Sequence, residues 1–463
     1  MVASVPARRI VLSVNGFLPN TYGGGQVYVW RVAKELSRRR WEVSILSPRQ
    51  HSRPAKGQGG VENRLFDDIK VIEYSLDETA TSPLELYLHD GPHVRKVLGE
   101  ILESVNPDVV HINAAKAALV GICNAIGIDH VVTAHHAGIA CANGTLVTPS
   151  ESFCTVPMSA KACIPCCVRT RWPNWSGGDW VRFVPPVMYR SLGRAVSWSG
   201  VGSKPARGLM YPWFVERAIA SRRQMLTSAQ QLIAPSRAMR ELLVRNGCDS
   251  RTVRMIPHGI EPLERRVPTR LAGRRVRLGY IGRISPPKGL GRLIEAAGRL
   301  EDRARLELHV FGEPRTAQEE RYQRDCIESS RGRVSTTFHG YVPPNEMQHA
   351  YQQVDVVVVP SRAMESFGLV VAEALSSGTP VVVTPSPALC EWVKDGVNGI
   401  VATGLAVEDL AHALGRMLAT VETIIVGAAS EGVRISGIVE HVDQLEAVYD
   451  GLKGGQGRGA CAA

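Results

Sequence analysis

Two glutamates eight positions apart give the first indication of chemistry in this chain. Glu365 and Glu373 stand at the two ends of the stretch E-S-F-G-L-V-V-A-E, which follows an apolar run ending at Pro360. At about 3.6 residues per turn, the spacing predicts two carboxylates on nearly the same face of one helix. The apolar run has the composition of a buried parallel strand, and open α/β sheets bind ligands beyond the carboxyl ends of their strands. The pattern predicts that both carboxylates reach one elongated polar ligand, although two solvent-exposed helix glutamates would share this spacing.

Length and composition indicate an ordinary globular protein. The chain has 463 residues, 44% of them hydrophobic and 21% charged, and typical domain sizes favour two domains of about 200 residues each. No run approaches the roughly 18 apolar residues of a membrane-spanning helix, and the first apolar stretch is too short for a signal peptide. We therefore expect a cytoplasmic protein. The net charge of +10 favours phosphate-bearing partners or an anionic membrane surface, and no nucleic-acid motif is present.

The first half of the sequence alternates strand-like and helix-like segments, which is typical of a parallel α/β domain. A glycine-rich turn at residues 23–25 precedes a segment with helical apolar spacing at 26–39. We assign residues 1–262 to this domain, with a cysteine- and tryptophan-rich insert at about 138–223. The predicted strands are 10–14, 41–46, 108–112, 131–134, 232–235 and 253–257.

The second half repeats the same rhythm after a polar, proline-bearing linker. We assign residues 274–434 to a second α/β domain, 435–453 to an amphipathic helix packing back toward the first domain, and 454–463 to a disordered tail. A helix is predicted at 290–300. The predicted strands are 276–281, 306–311, 337–341, 355–359 and 380–384.

Several motifs follow one another in order along nearly the whole chain. They are G-G-G-Q-V-Y, T-A-H-H, I-A-P-S-R-A-M, I-P-H-G-I-E, Y-I-G-R-I-S-P-P-K-G, F-G-E-P and the two glutamates separated by seven residues. Together they resemble the retaining glycosyltransferases of family four. The resemblance implies the GT-B fold, in which two Rossmann-like domains face each other across a cleft. It also implies transfer of a sugar from a nucleotide diphosphate to a hydroxyl of a glycan or lipid-linked acceptor, with retention, in cell-surface polysaccharide or glycoconjugate biosynthesis.

The resemblance implies roles for individual side chains. Arg283 and Lys288 match the family's diphosphate-binding pair, where cations would stabilise the charge that develops as the bond to the sugar breaks. A solvated basic loop is the alternative for this pair. Glu373 matches the glutamate that binds the ribose hydroxyls, and Glu365 matches the one near the donor sugar. His135 matches a histidine near the donor sugar and the reacting centre.

Backbone groups complete the implied donor site. The N–H groups of Ser366, Phe367 and Gly368 are expected to open a helix, whose dipole favours an anion. Gly24 and Gly25 would let backbone amides approach the acceptor or the phosphates, although a plain tight turn would also use them. The resemblance implies front-face attack without an enzymic nucleophile, and no cofactor is required for transfer.

Four cysteines of the insert, Cys141, Cys154, Cys163 and Cys166, are spaced C-x12-C-x8-C-x2-C. Four thiolates with one close pair suit a tetrahedral structural site that holds zinc or an iron–sulfur cluster. Some members of the resembled family carry a comparable insert. Reduced, partly buried thiols are the alternative.

Residues 169–223 combine five tryptophans with ten arginines or lysines. Basic and aromatic residues together are typical of an interfacial surface. We hypothesise that this segment lies on the acceptor side and contacts the inner membrane peripherally. A lid packed on its own domain is the alternative.

Two other functions remain open on the sequence. One is a non-catalytic, metal-bearing GT-B assembly or regulatory protein, and the other is a nucleotide-sugar epimerase or sucrose-phosphate-type synthase of the same fold. A dinucleotide oxidoreductase is disfavoured because residues 23–25 do not form G-x-G-x-x-G.

Overall fold

The computed structural model describes residues 8–19, 23–49, 59–77, 80–172, 188, 190–191, 204–261, 263–267, 271, 273–431 and 433–453. The tail expected at 454–463 and most of the tryptophan-rich segment lie outside the described residues. Within them, the chain forms two α/β domains, each built on its own sheet. The predicted fold class is confirmed.

The first sheet has eight strands in the order β3-β4-β2-β1-β5-β6-β7-β8. All neighbours are parallel except β3 and β4, which form an antiparallel hairpin at one edge. The sequence analysis missed this hairpin, since β3 is a largely exposed, polar strand without a buried apolar run. The strands are β1 (Arg9–Ser13), β2 (Glu42–Pro48), β3 (Gly60–Phe66), β4 (Ile69–Ser75), β5 (Val109–Ile112), β6 (Asp129–Thr133), β7 (Gln231–Ala234) and β8 (Val253–Met255).

The second sheet has six parallel strands in the order β11-β10-β9-β12-β13-β14. In β12, Val356 and Val358 enter one buried cluster and Val357 another, so both faces of the sheet are covered by helices. The strands are β9 (Val276–Ile281), β10 (Leu306–Phe311), β11 (Ser335–Gly340), β12 (Val356–Val359), β13 (Val381–Val383) and β14 (Gly399–Val401), of which β14 was not predicted.

Helices connect the strands and cover the sheets. The first domain contains α1 (Gly24–Arg38), α2 (Pro83–Leu88), α3 (Pro92–Val105), α4 (Lys116–Ile126), α5 (Ala160–Arg171), α6 (Lys204–Ser228) and α7 (Arg237–Arg245). The helices that follow are α8 (Leu290–Gly298), α9 (Ala317–Ser330), α10 (Met347–Gln352), α11 (Leu369–Ser376), α12 (Pro387–Cys390), α13 (Val407–Glu431) and α14 (Ile438–Lys453).

Helix α14 packs against the first domain, as predicted. Val442, Leu445 and Tyr449 are fully buried, in the cluster that also contains Ile10 and Leu12 of β1. The Tyr449 hydroxyl lies 2.7 Å from His111 Nδ1, and Trp41 Nε1 donates to a glutamate of α14. The last helix therefore joins the end of the chain to the first sheet.

Helix α13 is long and apolar enough to cross a membrane by length and composition, which the sequence analysis did not anticipate. Leu410, Leu414 and Met417 on this helix are buried in the core of the second domain, in one cluster with residues of α8 and β9. Packing inside a domain core accounts for its hydropathy.

Candidate active site

A cleft lies between the two domains at the carboxyl ends of their strands. The loops after β1, β5 and β6 line it from the first domain, and those after β9, β10 and β12 from the second. Open α/β sheets bind ligands at this edge. The structure brings all of the predicted donor-site residues to this cleft: His135, Gly24, Gly25, Arg283, Lys288, Glu365, Ser366, Phe367, Gly368 and Glu373.

An ion pair joins Lys288 and Glu365 on the second-domain side. The Lys288 ammonium lies 2.8 Å from Glu365 Oε1, and the Ser361 hydroxyl donates to the same oxygen. Burial alone would raise the pKa of Glu365, but Lys288 and Ser361 outweigh burial and hold the pKa below its usual value. Glu365 is therefore an anion at neutral pH and fixes the position of the lysine.

Glu373 lies at the meeting of the two domains. Its carboxylate accepts a hydrogen bond from the Tyr351 hydroxyl at 2.9 Å, and Arg31 Nη1 of the first domain lies 3.9 Å away. Burial raises the pKa of Glu373 more than Arg31 and Tyr351 lower it. The carboxylate is therefore short of charge-stabilising donors, which ligand hydroxyls would supply.

The two glutamates do not share a helix, so that prediction was wrong. Helix α11 begins at Leu369, and Glu365 lies in the preceding loop. Gly368 caps the helix with a φ of 85°, and a Cβ there would come within 2.4 Å of Leu389 Cδ2. Only glycine fits this left-handed cap, so the helix cannot extend back to Glu365. The amides free at its first turn are those of residues 369–371 rather than those of Ser366 and Phe367.

Arg283 is held where two loops of the second domain cross. Its Nε lies 3.5 Å from Glu319 Oε1. The neighbouring Gly282 has a φ of 142°, and a Cβ on Gly312 would lie 1.9 Å from the Gly282 carbonyl oxygen. The backbones of the β9 and β10 loops therefore touch directly, which requires glycine.

The glycine-rich turn of the first domain lies against the second domain. A Cβ on Gly23 would stand 2.7 Å from the Arg315 guanidinium, and one on Gly24 would stand 3.1 Å from Leu369 Cδ1. A Cβ placed on Gly25 would have no described atom within 4 Å, apart from the chain neighbours of Gly25 and the backbone of its own helix. The tight approach thus involves Gly23 and Gly24.

His135 lies at the centre of the cleft and bridges the domains. Its Nε2 lies 2.6 Å from Asn113 Oδ1, and its carbonyl oxygen accepts from Ser366 Oγ at 2.7 Å. The imidazole stacks on His258 with ring centroids 5.1 Å apart. Burial, with the nearby His258 and Lys116, lowers the pKa of His135 well below its usual value, so the ring is neutral.

The sequence analysis did not single out Arg31, Lys116, Arg222, Arg315 or Tyr351. These side chains come from five separate helices or loops, and all but Tyr351 line the cleft. No local motif marks them, because their position depends on contacts between distant parts of the chain. For Lys116, the only sequence signal is its place just after a buried strand.

The four insert cysteines lie in one region of the first domain. Cys163 and Cys166 are three positions apart on α5, and the Asn143 side chain accepts from Cys141 Sγ at 3.1 Å and donates to Cys166 Sγ at 3.4 Å. Burial, with the neighbouring thiols, raises the pKa of Cys163 and Cys166. Within the described parts of the chain, no group of three or more His, Cys, Asp or Glu side chains is arranged to hold a metal ion. Metal binding stays a prediction.

Two of the five tryptophans predicted to form an interfacial surface are described. Trp213 is buried in the first-domain core, and Trp172 packs on Tyr211 with ring centroids 5.3 Å apart. Packing on their own domain favours the lid alternative for these two. Trp175, Trp180 and Trp198 lie outside the described residues.

Two family profiles match consecutive parts of the chain. The profile described as "Glycosyl transferase 4-like domain" matches residues 23–259, and the one described as "Glycosyl transferases group 1" matches residues 264–423. The first covers the first sheet except β1, together with the insert, and the second covers the second sheet with Arg283, Lys288 and both glutamates.

Curated relatives match smaller parts. A D-inositol 3-phosphate glycosyltransferase of Geodermatophilus obscurus is 34% identical over 245 residues, which is 49% of this chain and 53% of the relative. A lipopolysaccharide 1,2-N-acetylglucosaminetransferase of Salmonella typhimurium is 31% identical over 150 residues, 31% of this chain and 39% of the relative. The chain thus spans about half or less of the length of these relatives.

Solved structures resemble the whole chain in fold. Sucrose-phosphate synthase from Thermosynechococcus elongatus superposes with a TM-score of 0.65 at 18% identity, covering 96% of this chain and 99% of that protein. Anabaena HepE in complex with UDP superposes with a TM-score of 0.60 at 15% identity, covering 96% and 100%. At these identities the likeness shows the fold: both domains and the cleft between them.

Proposed function

Because the chain belongs to the glycosyltransferase family of the two matching profiles, we propose that it transfers a sugar from a nucleotide-diphosphate donor to an acceptor hydroxyl with retention of the anomeric configuration. The observation that carries the proposal is the arrangement at the second-domain wall of the cleft. There Arg283, the Lys288–Glu365 pair and the first turn of α11 lie together beyond the carboxyl ends of two strands, β9 and β12.

Diphosphate binding is the first task of this site. Arg283 and Lys288 supply positive charge, and the free N–H groups of the first turn of α11 add the positive end of a helix dipole. As the bond between the sugar and the phosphate breaks, negative charge grows on the departing diphosphate. Fixed cations and amides stabilise it without needing to reorganise.

The two glutamates recognise opposite ends of the donor in this proposal. Glu373 accepts hydrogen bonds from ribose hydroxyls, and its raised pKa fits a carboxylate that gains stabilising donors when a ligand binds. Glu365 holds Lys288 against the phosphate through Oε1, and its second carboxylate oxygen accepts from a hydroxyl of the donor sugar. Interactions with two distant parts of the donor orient the anomeric carbon between them.

The proposed route to retention uses no side chain as a nucleophile. The acceptor hydroxyl attacks the face from which the diphosphate departs, and a phosphate oxygen takes the acceptor's proton. His135 is neutral, and its ring is held by Asn113. Its part is therefore to shape and orient the reacting centre, since a ring with so low a pKa binds a proton poorly.

Transfer with a defined product stereochemistry tests the proposal. The full-length protein is incubated with uridine, guanosine and thymidine diphosphate sugars and a set of glycan and lipid-linked acceptors, and products are identified by mass spectrometry and by NMR of the anomeric proton. An α-linked donor should give an α-linked product, and Lys288→Met should abolish its formation. An inverted product, or a sugar covalently attached to the protein, would refute the retaining mechanism.

For the acceptor, the proposal specifies only a chemical class. The relatives named above act on an inositol phosphate and on lipopolysaccharide, which supports a polar acceptor in cell-surface polysaccharide or glycoconjugate synthesis. We keep the cytoplasmic location and a peripheral contact with the inner membrane as proposals. Flotation with anionic liposomes tests the contact, and binding that persists when the tryptophans of residues 169–223 are replaced by serine would reject it.

A further inference from the structure

The first-domain wall of the cleft carries positive charge without carboxylates. Among the described residues that line the cleft, the first domain contributes Arg31, Lys116 and Arg222 but no aspartate or glutamate. The second domain contributes three glutamates to the same lining. Arg31 is engaged by Glu373 across the cleft. Lys116 and Arg222 are the cations of this wall that have no carboxylate partner among the described residues.

Lys116 and Arg222 come from different helices and face the same part of the cleft. Lys116 opens α4, and Arg222 lies near the end of α6. Both lie close enough to His136 to lower its pKa, which desolvation in the cleft and these two charges bring to about 4. His136 is therefore neutral and leaves the two positive charges uncompensated.

Lys116 and Arg222 have N–H groups that donate no hydrogen bond within the described chain. Arg222 Nη1 is buried and has no hydrogen-bond partner within the described chain, and such atoms are costly to leave unpaired. Lys116 donates to the Asn113 carbonyl oxygen, which leaves further N–H groups of the ammonium. The first turn of α4 adds backbone N–H groups at the positive end of the helix.

We propose that Lys116, His136 and Arg222 form a subsite that binds a phosphate group of the acceptor. The inference rests on the proposed function in that it takes this wall to be the acceptor side. A phosphate offers oxygens in several directions and so accepts from donors on separate elements, whereas a planar carboxylate matches a single fork. His135 is adjacent to His136 in sequence, and its carbonyl oxygen accepts from Ser366 on the donor side of the cleft. A bound phosphate would thus place the rest of the acceptor at the reacting centre.

The titration of Lys116 gives the subsite a pH signature. Burial lowers the pKa of Lys116 to about 7. The titratable groups that face it are His111, His135 and His136, whose pKa values are all lowered, so they are neutral above pH 7. Above that pH the free protein must take up a proton to bind the anion. Phosphate affinity should therefore fall about tenfold between pH 8 and pH 9.

Calorimetric titration of matched ligands tests the subsite without requiring turnover. The probes are inorganic phosphate, myo-inositol with its 3-phosphate, glucose with its 6-phosphate, and glucuronate. At least one phosphorylated probe should bind the full-length protein at least tenfold more tightly than its parent. Arg222→Gln and Lys116→Gln should each remove at least tenfold of that affinity, while Arg251→Gln, an exposed surface arginine, should change nothing.

Each outcome decides the proposal. Equal affinity for phosphorylated and parent probes without Arg222-dependent binding to the vesicles described below, equal binding of glucuronate, or an Arg222→Gln variant that matches Arg251→Gln would overturn it. If Lys116→Gln does not fold, Arg222→Gln carries the test. Vesicles that contain phosphatidylinositol form a second arm: binding to them that depends on Arg222, without binding of soluble phosphates, would place the phosphate in a lipid headgroup. Uridine, guanosine, adenosine and thymidine diphosphates titrated into the same samples test the donor site, so failure of all four to bind would refute the proposed function separately.

Discussion

Replacing Glu373 by glutamine probes the ribose contact of the proposed donor site. The carboxylate side chain is 13% exposed and meets the Tyr351 hydroxyl and Arg31. Glutamine has nearly the same shape and keeps one carbonyl oxygen as acceptor, but it loses the charge and the second acceptor oxygen. Because burial raises the pKa of Glu373, a neutral side chain is compatible with the site, and the variant should fold.

The magnitude follows from the hydrogen bonds that change. A hydrogen bond to a charged group contributes about 1.5–3 kcal/mol and one between neutral groups about 0.5–1.5 kcal/mol. In Glu373→Gln, one of the two ribose hydroxyls that donate to the carboxylate would lose its bond and the other would donate to a neutral oxygen, at a total cost of about 2.5–4.5 kcal/mol. The dissociation constant of the nucleotide diphosphate should rise roughly 60- to 1,500-fold.

Isothermal titration with paired ligands isolates this contact. The nucleoside diphosphate that binds the wild type is compared with its 2′,3′-dideoxy analogue, in wild type, Glu373→Gln and Glu320→Gln. Glu320 is an exposed glutamate on α9 and serves as the matched control. In Glu373→Gln, removal of the hydroxyls should cost far less than in the wild type. If both ligands lose the same affinity in Glu373→Gln, the carboxylate does not bind the ribose, and the assignment is refuted.

Three further predictions concern the fold, the last helix and the insert. Asp355 accepts from Arg274 and Arg277, and although burial opposes it, these guanidiniums hold its pKa below the usual value. Asp355→Asn should therefore destabilise the protein by about 3–5 kcal/mol at pH 7 in urea unfolding. The difference from the wild type should shrink as pH falls below about 4, because Asp355 of the unfolded wild-type chain then takes up a proton that the folded carboxylate still excludes; a constant difference down to pH 2 would contradict this. Leu445→Ala should cost about 2–5 kcal/mol by the same assay, because it opens a cavity between α14 and the first sheet, and a loss below about 1 kcal/mol would show that α14 does not stabilise the first domain. Anaerobically purified protein should contain about one equivalent of zinc, or about two to four equivalents of iron for a cluster, by mass spectrometry, and Cys163→Ser should lose the metal. Less than about a tenth of an equivalent of either metal in the wild type would contradict the metal hypothesis.

Most of the buried strands of both sheets could be predicted from the sequence, although the largely buried β4 was missed. Runs such as Val356–Val359 are apolar at every position because helices cover both faces of the sheet. The β3–β4 hairpin was not readable, since β3 is exposed and polar at the edge of the sheet. The short strand β14 contributes only three residues and has little pattern to detect.

The residues of the candidate site could be predicted from the sequence only where a motif contains them. Arg283, Lys288, Glu365 and Glu373 follow buried runs, and the structure brings them to one cleft. The position of Glu365 outside the helix depends on the left-handed Gly368, whose conformation is fixed by contact with a distant leucine. Arg31, which lies beside Glu373, comes from the other domain. Periodicity within one segment carries no information about such a partner.

Donor binding is the most direct test of the central claim that the cleft holds a nucleotide-diphosphate sugar. Purified protein is screened by thermal shift against uridine, guanosine, adenosine and thymidine diphosphate sugars, with Arg283→Ala as the control. At least one donor should raise the melting temperature of the wild type in a concentration-dependent way, and the shift should disappear in Arg283→Ala. A folded wild type that no donor stabilises at millimolar concentration, or a shift of equal size in Arg283→Ala, would contradict the account.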